Sequence, residues 1–209
     1  MTIAKFMSFD QPAQFLQIDH FLANEDRLNL LEYVLDREAD FVPTSTATGD
    51  LDYRKSWILY HFEAYENWMI QKITPLLPRL FHAWNIEPFA ISQIEIQLTA
   101  HNDGHYYKIH NDNGSPDAAT RTMSYVYYFN REPTNFSGGA LRLYDMRIEN
   151  GHYVQAETYR DIQPVNNRIV FFPSHCLHEV LPISCRSRNF ADSRFTLNGW
   201  VRREATEYV

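Results

Sequence analysis

From Phe89 onward, the sequence alternates short runs of β-branched and aromatic residues with turn-forming residues. Such runs are typical of β-strands, and the turn-forming residues mark where each strand ends. The pattern predicts eight strands, near residues 91–100, 105–110, 121–130, 139–145, 152–159, 168–173, 177–182 and 194–203. Because no helical periodicity lies between these runs, they favour an antiparallel sandwich or barrel.

The helical patterns lie in the first third of the chain. Apolar residues recur near helical spacing in EDRLNLLEYVLDRE, which predicts a helix over residues 25–38 with Asn24 as its N-cap. A second helix is predicted over residues 62–84. Pro75 and Pro78 interrupt this pattern, so we expect the helix to be kinked or broken there, because proline cannot donate the backbone hydrogen bond of a helix interior.

Two further segments complete the prediction for the first third of the chain. Residues 14–22, QFLQIDHFL, predict a short strand, and the polar, turn-rich residues 42–55 predict a mobile loop. We therefore expect a mainly β fold with flanking helices (α+β) in a single domain. In it, residues 1–88 supply the helical support and the loop, and residues 89–209 form the β core.

Composition restricts the possible partners. The 209 residues are 44% hydrophobic, which is enough for one sizeable core, and the net charge of −7 provides no basic surface for nucleic acid. The N-terminal residues lack the apolar stretch of a signal peptide, and no later segment approaches the roughly 20 apolar residues that cross a membrane. We expect a cytoplasmic protein without a membrane partner, in which Cys176 and Cys185 are free thiols.

The tripeptide His-Asn-Asp occurs twice within twelve residues, at 101–103 and at 110–112. The first copy precedes Gly104 in a hairpin-type turn between two predicted strands, so its side chains are expected to face solvent. The second copy closes a predicted strand and opens a loop, which holds His110 on a rigid element with Asp112 beside it. The second copy is therefore the better candidate for a pair of metal ligands.

A third ligand has to come from another part of the chain. RIVFFPSHCLHEVLP contains His175 in a Pro-Ser turn and His178 at the start of a strand-like segment, which favours His178. Two histidines and one carboxylate that leave coordination positions open form the arrangement of non-haem Fe(II) oxygenases, whereas zinc prefers a tetrahedron. Spacing alone also leaves open the alternative that these histidines are structural residues of a β-sheet.

Five ordered segments carry a family resemblance: GHYYKIHND, RTMSYVYYFN, FSGGALRLY, NRIVFFPSHCLHEVLP and SRFTLNGW. In them the chain resembles the 2-oxoglutarate- and Fe(II)-dependent dioxygenases, most closely the prolyl-hydroxylase branch that includes the oxygen-sensing enzymes of animals. The resemblance implies a double-stranded β-helix (jelly roll) core. It also implies Fe(II) as cofactor, 2-oxoglutarate and O2 as cosubstrates, and ascorbate as a reductant.

The resemblance also implies roles for individual residues. His110, Asp112 and His178 correspond to the three iron ligands, and a ligand carboxylate at Asp112 favours hydroxylation over halogenation. Arg194, six residues before Trp200, corresponds to the basic residue that pairs with the distal carboxylate of 2-oxoglutarate.

Two other residues correspond to the walls of the same cosubstrate pocket. Tyr128 matches a tyrosine whose hydroxyl binds the same carboxylate as the arginine, and Leu141 matches an apolar wall.

Two departures from the family pattern concern the cosubstrate. Residues 186–193, RSRNFADS, resemble an insertion, which leaves Arg186 and Arg188 as alternative carboxylate partners. Position 100 is Ala where the oxygen-sensing enzymes have a tyrosine that contacts the cosubstrate.

The substrate is the least constrained part of the prediction. By resemblance, the first choice is a prolyl residue in a protein or peptide, with Tyr53, Arg54 and Trp57 near a lid formed by residues 43–55 as candidate contacts. A free amino acid or small metabolite remains an alternative. A zinc hydrolase on the same three ligands and a non-catalytic barrel that binds 2-oxoglutarate are the competing classes.

Overall fold

The computed structural model describes residues 10–44, 52–149 and 152–205. Within these ranges the strands are β1 (Asp10–Gln11), β2 (Leu16–Asp19), β3 (Val42–Pro43), β4 (Arg54–Lys55), β5 (Trp57–Leu59), β6 (Ile91–His101), β7 (Tyr106–His110), β8 (Arg121–Phe129), β9 (Ser137–Gly138), β10 (Leu141–Glu149), β11 (His152–Ile162), β12 (Arg168–Pro173), β13 (His178–Val180), β14 (Ile183–Ser184) and β15 (Arg194–Arg203). The α-helices are α1 (Asn24–Leu35), α2 (Glu63–Ile73) and α3 (Leu77–Ala83). Single 3₁₀ turns span Glu38–Asp40, Thr74–Leu76, Pro116–Ala118 and Phe190–Asp192.

Two antiparallel sheets form the core. The large sheet has the strand order β2-β12-β8-β15-β6-β5-β3, and the small sheet has the order β1-β10-β13-β7-β4, with β11 paired to β10. The eight predicted strands correspond to β6, β7, β8, β10, β11, β12, β13 and β15. They divide between the two sheets, four to each, and this jelly-roll arrangement confirms the predicted fold class.

The side chains of the large sheet alternate between two environments, as the two-residue period of a strand requires. On β12, Ile169 and Phe171 belong to a core shared with the helices, whereas Val170 and Phe172 belong to a second core between the two sheets. Tyr128 of β8 faces the second core as well. The helices therefore cover the outer face of the large sheet, and its inner face remains available for a site.

The predicted break in the second helix is confirmed. Pro75 lies in the 3₁₀ turn that separates α2 from α3, and Pro78 lies in the first turn of α3, where its missing N–H costs no helical hydrogen bond. The predicted cap of the first helix is wrong. Asn24 is the first residue of α1, and its side-chain oxygen accepts a hydrogen bond from Nη2 of Arg27 at 2.8 Å instead of capping the helix.

The prediction of a loop over residues 42–55 is only partly right. β3 and β4 occupy its two ends, because Val42 and Pro43 pair with β5, and Arg54 and Lys55 pair with β7. Residues 45–51, the middle of the lid expected over residues 43–55, lie outside the described residues.

Cys176 and Cys185 are buried free thiols, as predicted. No helix of the described chain is long and apolar enough to cross a membrane.

Gly199 on β15 lies very close to its neighbours in the large sheet. A Cβ atom at this position would lie 1.9 Å from the backbone oxygen of Glu95 and 2.5 Å from the hydroxyl of Tyr125, which itself donates to that oxygen at 2.7 Å. We expect Gly199→Ala to lower the free energy of unfolding by about 2–3 kcal/mol, since the strands must separate to admit the methyl group. Urea unfolding measures this loss.

The matched control for this substitution is Gln93→Ala on the neighbouring strand, where the side chain is exposed. It should change the stability by less than about 0.5 kcal/mol. Equal stability of the two variants would contradict the close approach at Gly199.

Candidate functional site

Two histidines meet across neighbouring strands of the small sheet. His110 is the last residue of β7, His178 is the first residue of β13, and the two are direct partners in the strand register. Asp112 follows two residues after His110, where its backbone N–H donates to the carbonyl oxygen of Ser174 at 2.9 Å. The triad of His110, Asp112 and His178 offers ligand atoms that all lie within 4.8 Å of one another.

Backbone carbonyls orient both imidazoles of the triad. Nδ1 of His110 lies 2.8 Å from the carbonyl oxygen of Lys108, and Nδ1 of His178 lies 2.9 Å from that of Cys176. A carbonyl oxygen only accepts, so each Nδ1 carries the proton and each Nε2 keeps a free lone pair. The two Nε2 atoms lie 3.6 and 3.5 Å from the carboxylate oxygens of Asp112, which directs all three donor sets to one point.

The electrostatics of the triad suit a divalent cation. Burial and the neighbouring His178 lower the pKa of His110 to about 3, so its imidazole is neutral at pH 7. Burial raises the pKa of Asp112, but the two histidines and hydrogen bonds from Ser124 and Trp200 outweigh it, and the net pKa is lowered. The Ser124 hydroxyl donates to Oδ2 of Asp112 at 2.6 Å. Two imidazole nitrogens and one carboxylate fit iron in an open octahedral site.

The triad lies on the wall of a cavity of about 770 Å³ between the two sheets, which we call the central cavity. β6 and β15 contribute its polar wall. Their cavity-lining side chains, which follow the two-residue period, are Gln97, His101, Arg194, Thr196, Asn198 and Trp200. Leu141 and Phe172 contribute an apolar wall, and Tyr53 and Arg54 also line the cavity.

Three side chains on this inner face each have a polar group without a hydrogen-bond partner among the described residues, and we call them the donor cluster: Arg194, His101 and Tyr128. Arg194 is only 2% exposed, its Nη1 lies 3.5 Å from Nδ1 of His101, and its Cζ lies 4.8 Å from the ring centroid of Tyr128. Burial lowers the pKa of Arg194, but a guanidinium stays charged at neutral pH.

The tautomer of His101 follows from its neighbour. Burial and the positive charge of Arg194 hold the pKa of His101 well below its usual range, so the ring is neutral. Arg194 has only donors, so Nδ1 of His101 accepts and Nε2 carries the proton. Nε2 of His101, Nε of Arg194 and the hydroxyl of Tyr128 have no hydrogen-bond partner among the described residues. Three buried donors without acceptors fit the carboxylate of a ligand.

The expectation that His101 faces solvent is wrong. β6 runs through His101, which is 4% exposed, and the turn begins only after it. Asn102 is buried too, because its amide donates to the carbonyl oxygen of Asn189 and to the hydroxyl of Ser193. Of the first His-Asn-Asp copy only Asp103 reaches the surface, where it pairs with Arg188.

The structure also changes the interpretation of the departure from the family pattern at position 100. Ala100 points to the outer face of the large sheet and packs in the core shared with the helices. Its neighbour His101 faces the central cavity instead, directly opposite Arg194 in the strand register. Directly paired residues of neighbouring strands point to the same face of a sheet. The pairing of His101 with Arg194 is therefore the signal that would have identified His101.

The remaining predicted residues fall into two groups. Leu141 lines the central cavity, and Tyr128 lies beside Arg194. Arg186 and Arg188 are exposed and line no part of the central cavity.

Trp57, a candidate substrate contact, packs against other aromatic side chains of the protein. Its ring packs edge-on against His105, with the centroids 4.6 Å apart, and it also contacts Phe190 in the segment thought to be an insertion.

Ser124, which holds the triad carboxylate, was not predicted, because a serine within a strand gives no distinguishing pattern.

Comparisons with known proteins agree with this geometry. The family model described as the 2OG-Fe(II) oxygenase superfamily matches residues 96–202. An uncharacterized PKHD-type hydroxylase of Synechocystis sp. is 42% identical over 195 residues, which are 92% of this chain and 64% of that protein. The chain thus spans a little under two thirds of the length of this curated relative.

Solved structures show the same fold. A prolyl-4-hydroxylase of Pseudomonas putida has a TM-score of 0.65 at 23% identity, with 92% of this chain and 94% of that chain covered. A prolyl hydroxylase of Trichoplax adhaerens, solved in complex with a hypoxia inducible factor peptide fragment, has a TM-score of 0.67 at 20% identity, with 90% and 83% covered. The family match spans the strands that carry both the triad and Arg194, and the chain belongs to the 2OG-Fe(II) oxygenase superfamily.

Proposed function

We propose that this protein is a 2-oxoglutarate- and Fe(II)-dependent dioxygenase that hydroxylates a C–H bond and releases succinate and CO2. One observation carries the proposal. The space between the two sheets combines a triad with the donor set of an open iron site and a separate cluster of side chains whose donors lack an acceptor among the described residues. A metal hydrolase would use the triad but leave the donor cluster without a ligand.

In this proposal the triad holds iron. His110 and His178 would present Nε2, and Asp112 would present the oxygen that does not accept from Ser124, which is the donor set of an iron site that also takes other ligands. Bound iron supplies the oxidising chemistry with O2 and 2-oxoglutarate. The carbonyl contacts to both Nδ1 atoms keep the imidazoles in the tautomer that binds metal.

The donor cluster holds the distal carboxylate of 2-oxoglutarate. Arg194 supplies the charge, and Tyr128 and the neutral His101 each supply one further donor. Leu141 and Phe172 provide the apolar surface against which the methylene groups of the cosubstrate pack. Because the guanidinium is buried, its attraction to a carboxylate is stronger than on an exposed surface.

A prolyl residue of a protein or peptide is the substrate that the relatives favour. Two of the similar structures are prolyl hydroxylases, and one of these is bound to a peptide fragment. The test is succinate formation by the purified protein with Fe(II), ascorbate and 2-oxoglutarate, with and without a pool of peptides from a digested proteome. Stimulation by peptides supports a peptide substrate, and stimulation only by a pool of small metabolites moves the substrate to that class. Absence of succinate formation by the iron-bound protein would overturn the assignment as a dioxygenase.

Metal binding tests the ligand assignment. We expect His178→Ala to weaken Co(II) or Fe(II) binding by at least about 100-fold, because an open site with three ligands loses one of them. His175→Ala is the matched control, since His175 lies three residues earlier on an exposed position outside the triad. Calorimetric titration of the two variants with Co(II) measures the difference, and equal affinities would disprove the assignment of His178.

Cosubstrate affinity tests the donor cluster. Arg194→Gln should raise the dissociation constant of 2-oxoglutarate by on the order of 100-fold, because it removes a buried charge-assisted pair. Tyr128→Phe and His101→Phe should each raise it by about 5- to 10-fold, the value of one neutral hydrogen bond. Anaerobic titration of the Fe(II)-loaded protein, followed by the absorbance of the metal–cosubstrate complex, gives these constants. Arg188→Gln is the exposed control, and an effect there as large as at Arg194 would refute the cluster.

A further inference from the structure

A short series of contacts connects Arg54 to the triad. β4 pairs with β7, and in that register Arg54 is opposite Tyr107. Cζ of Arg54 lies 4.9 Å from the ring centroid of Tyr107, and this ring stacks on His110 with centroids 3.6 Å apart. The guanidinium is thus one aromatic ring away from a triad histidine.

The charge of Arg54 acts on the interior of the central cavity. Its side chain lines that cavity, and its positive charge contributes to the lowered pKa values of His110 and His101. Burial lowers the pKa of Arg54 itself, and the negative charge of Asp112 partly offsets this effect. The guanidinium is therefore partly removed from water at the place where a substrate would meet the triad.

The described residues give Arg54 no carboxylate partner. Its Nε donates to the hydroxyl of Ser56 at 3.1 Å, which is a neutral contact. Asp112 is engaged with Ser124 and faces the two histidines. By contrast, Arg121 in the wall of the same cavity pairs with Glu95 at 2.5 Å. A partly desolvated charge is costly unless an anion pairs with it, so Arg54 is suited to bind an anionic group.

The two cavity arginines without a carboxylate partner in the described chain occupy different places. Arg194 lies on β15 of the large sheet, and Arg54 lies on β4 at the edge of the small sheet. The distal carboxylate of 2-oxoglutarate is assigned to Arg194 above, and the other end of the cosubstrate belongs at the metal. Arg54 is then left for the primary substrate.

We propose that Arg54 forms an anion subsite of the central cavity that binds a carboxylate of the primary substrate. The substrate class is accordingly a molecule or peptide with a carboxylate close to the carbon that is oxidised, such as a free amino acid, a peptide C-terminus or an acidic side chain beside the target residue. This inference rests on the proposed function for the identity of the ligand as substrate, while the anion subsite itself is measurable without turnover.

The test is a titration with acetate, the smallest carboxylate, observed by NMR. The full-length protein is labelled with ¹⁵N at the arginine Nε, loaded with Zn(II) in place of iron and saturated with 2-oxoglutarate. The Arg54 signal is assigned by its absence from the spectrum of Arg54→Gln. We expect acetate to shift this signal saturably at millimolar concentrations and the neutral isostere acetamide to leave it in place. The signal of the exposed Arg188 serves as the internal control for general salt effects.

Two outcomes would overturn the proposal. If acetate leaves the Arg54 signal in place, Arg54 binds no anion. If acetate shifts it only when 2-oxoglutarate is absent, the subsite belongs to the cosubstrate.

The affinity for 2-oxoglutarate provides an independent check of the second outcome. Arg54→Gln should change that dissociation constant by less than about threefold. For Arg194→Gln the expected change is on the order of 100-fold. A change at Arg54 of the same size as at Arg194 would assign both arginines to the cosubstrate. Neither measurement needs turnover, so a protein that forms no succinate would overturn the proposed function and leave the result on Arg54 intact.

Discussion

The two-residue period of the strands in the large sheet is the constraint on which both the stability and the site depend. Along β15, Phe195, Leu197 and Val201 pack against the helix-covered core, while Arg194 points into the central cavity. A slip of one residue would bring the guanidinium into an aromatic core and turn Phe195 toward the cavity. The apolar face of β15 therefore fixes its register between β6 and β8, and the position of Arg194 opposite His101 follows from that register.

The triad depends on contacts between both sheets. The small sheet supplies His110 and His178 as direct strand partners, but the carboxylate of Asp112 is held by Ser124 of the large sheet. The backbone N–H of Asp112 is likewise held by Ser174, which follows the last residue of β12. The metal site is consequently a junction between the sheets, so that a change in their packing alters the position of the carboxylate relative to the two imidazoles.

The sequence predicted the strands well because each one carries a clear period and a turn signal, and it located the triad because His110 and His178 lie at strand ends. It failed where the outcome depended on the strand partner. His101 looked like part of a turn, yet pairing with β15 extends β6 by one residue and buries the ring beside Arg194. Asn24 had the right chemistry for a helix cap, but the buried Arg27 engages its side chain. Such competition between local and distant partners has no signature in a single sequence.

The charges of the central cavity connect the metal, the cosubstrate and the anion subsite. Arg54 and Arg194 together outweigh the carboxylate of Asp112 by one positive charge, since the neighbouring histidines His110 and His101 are neutral. A divalent metal raises this excess to three positive charges, and a dianionic cosubstrate reduces it to one. Because a low-dielectric cavity penalises an uncompensated charge, the loaded site still favours one more anion. The carboxylate proposed for Arg54 would remove this last excess, so the charges of the cavity favour an acidic substrate beside bound metal and cosubstrate.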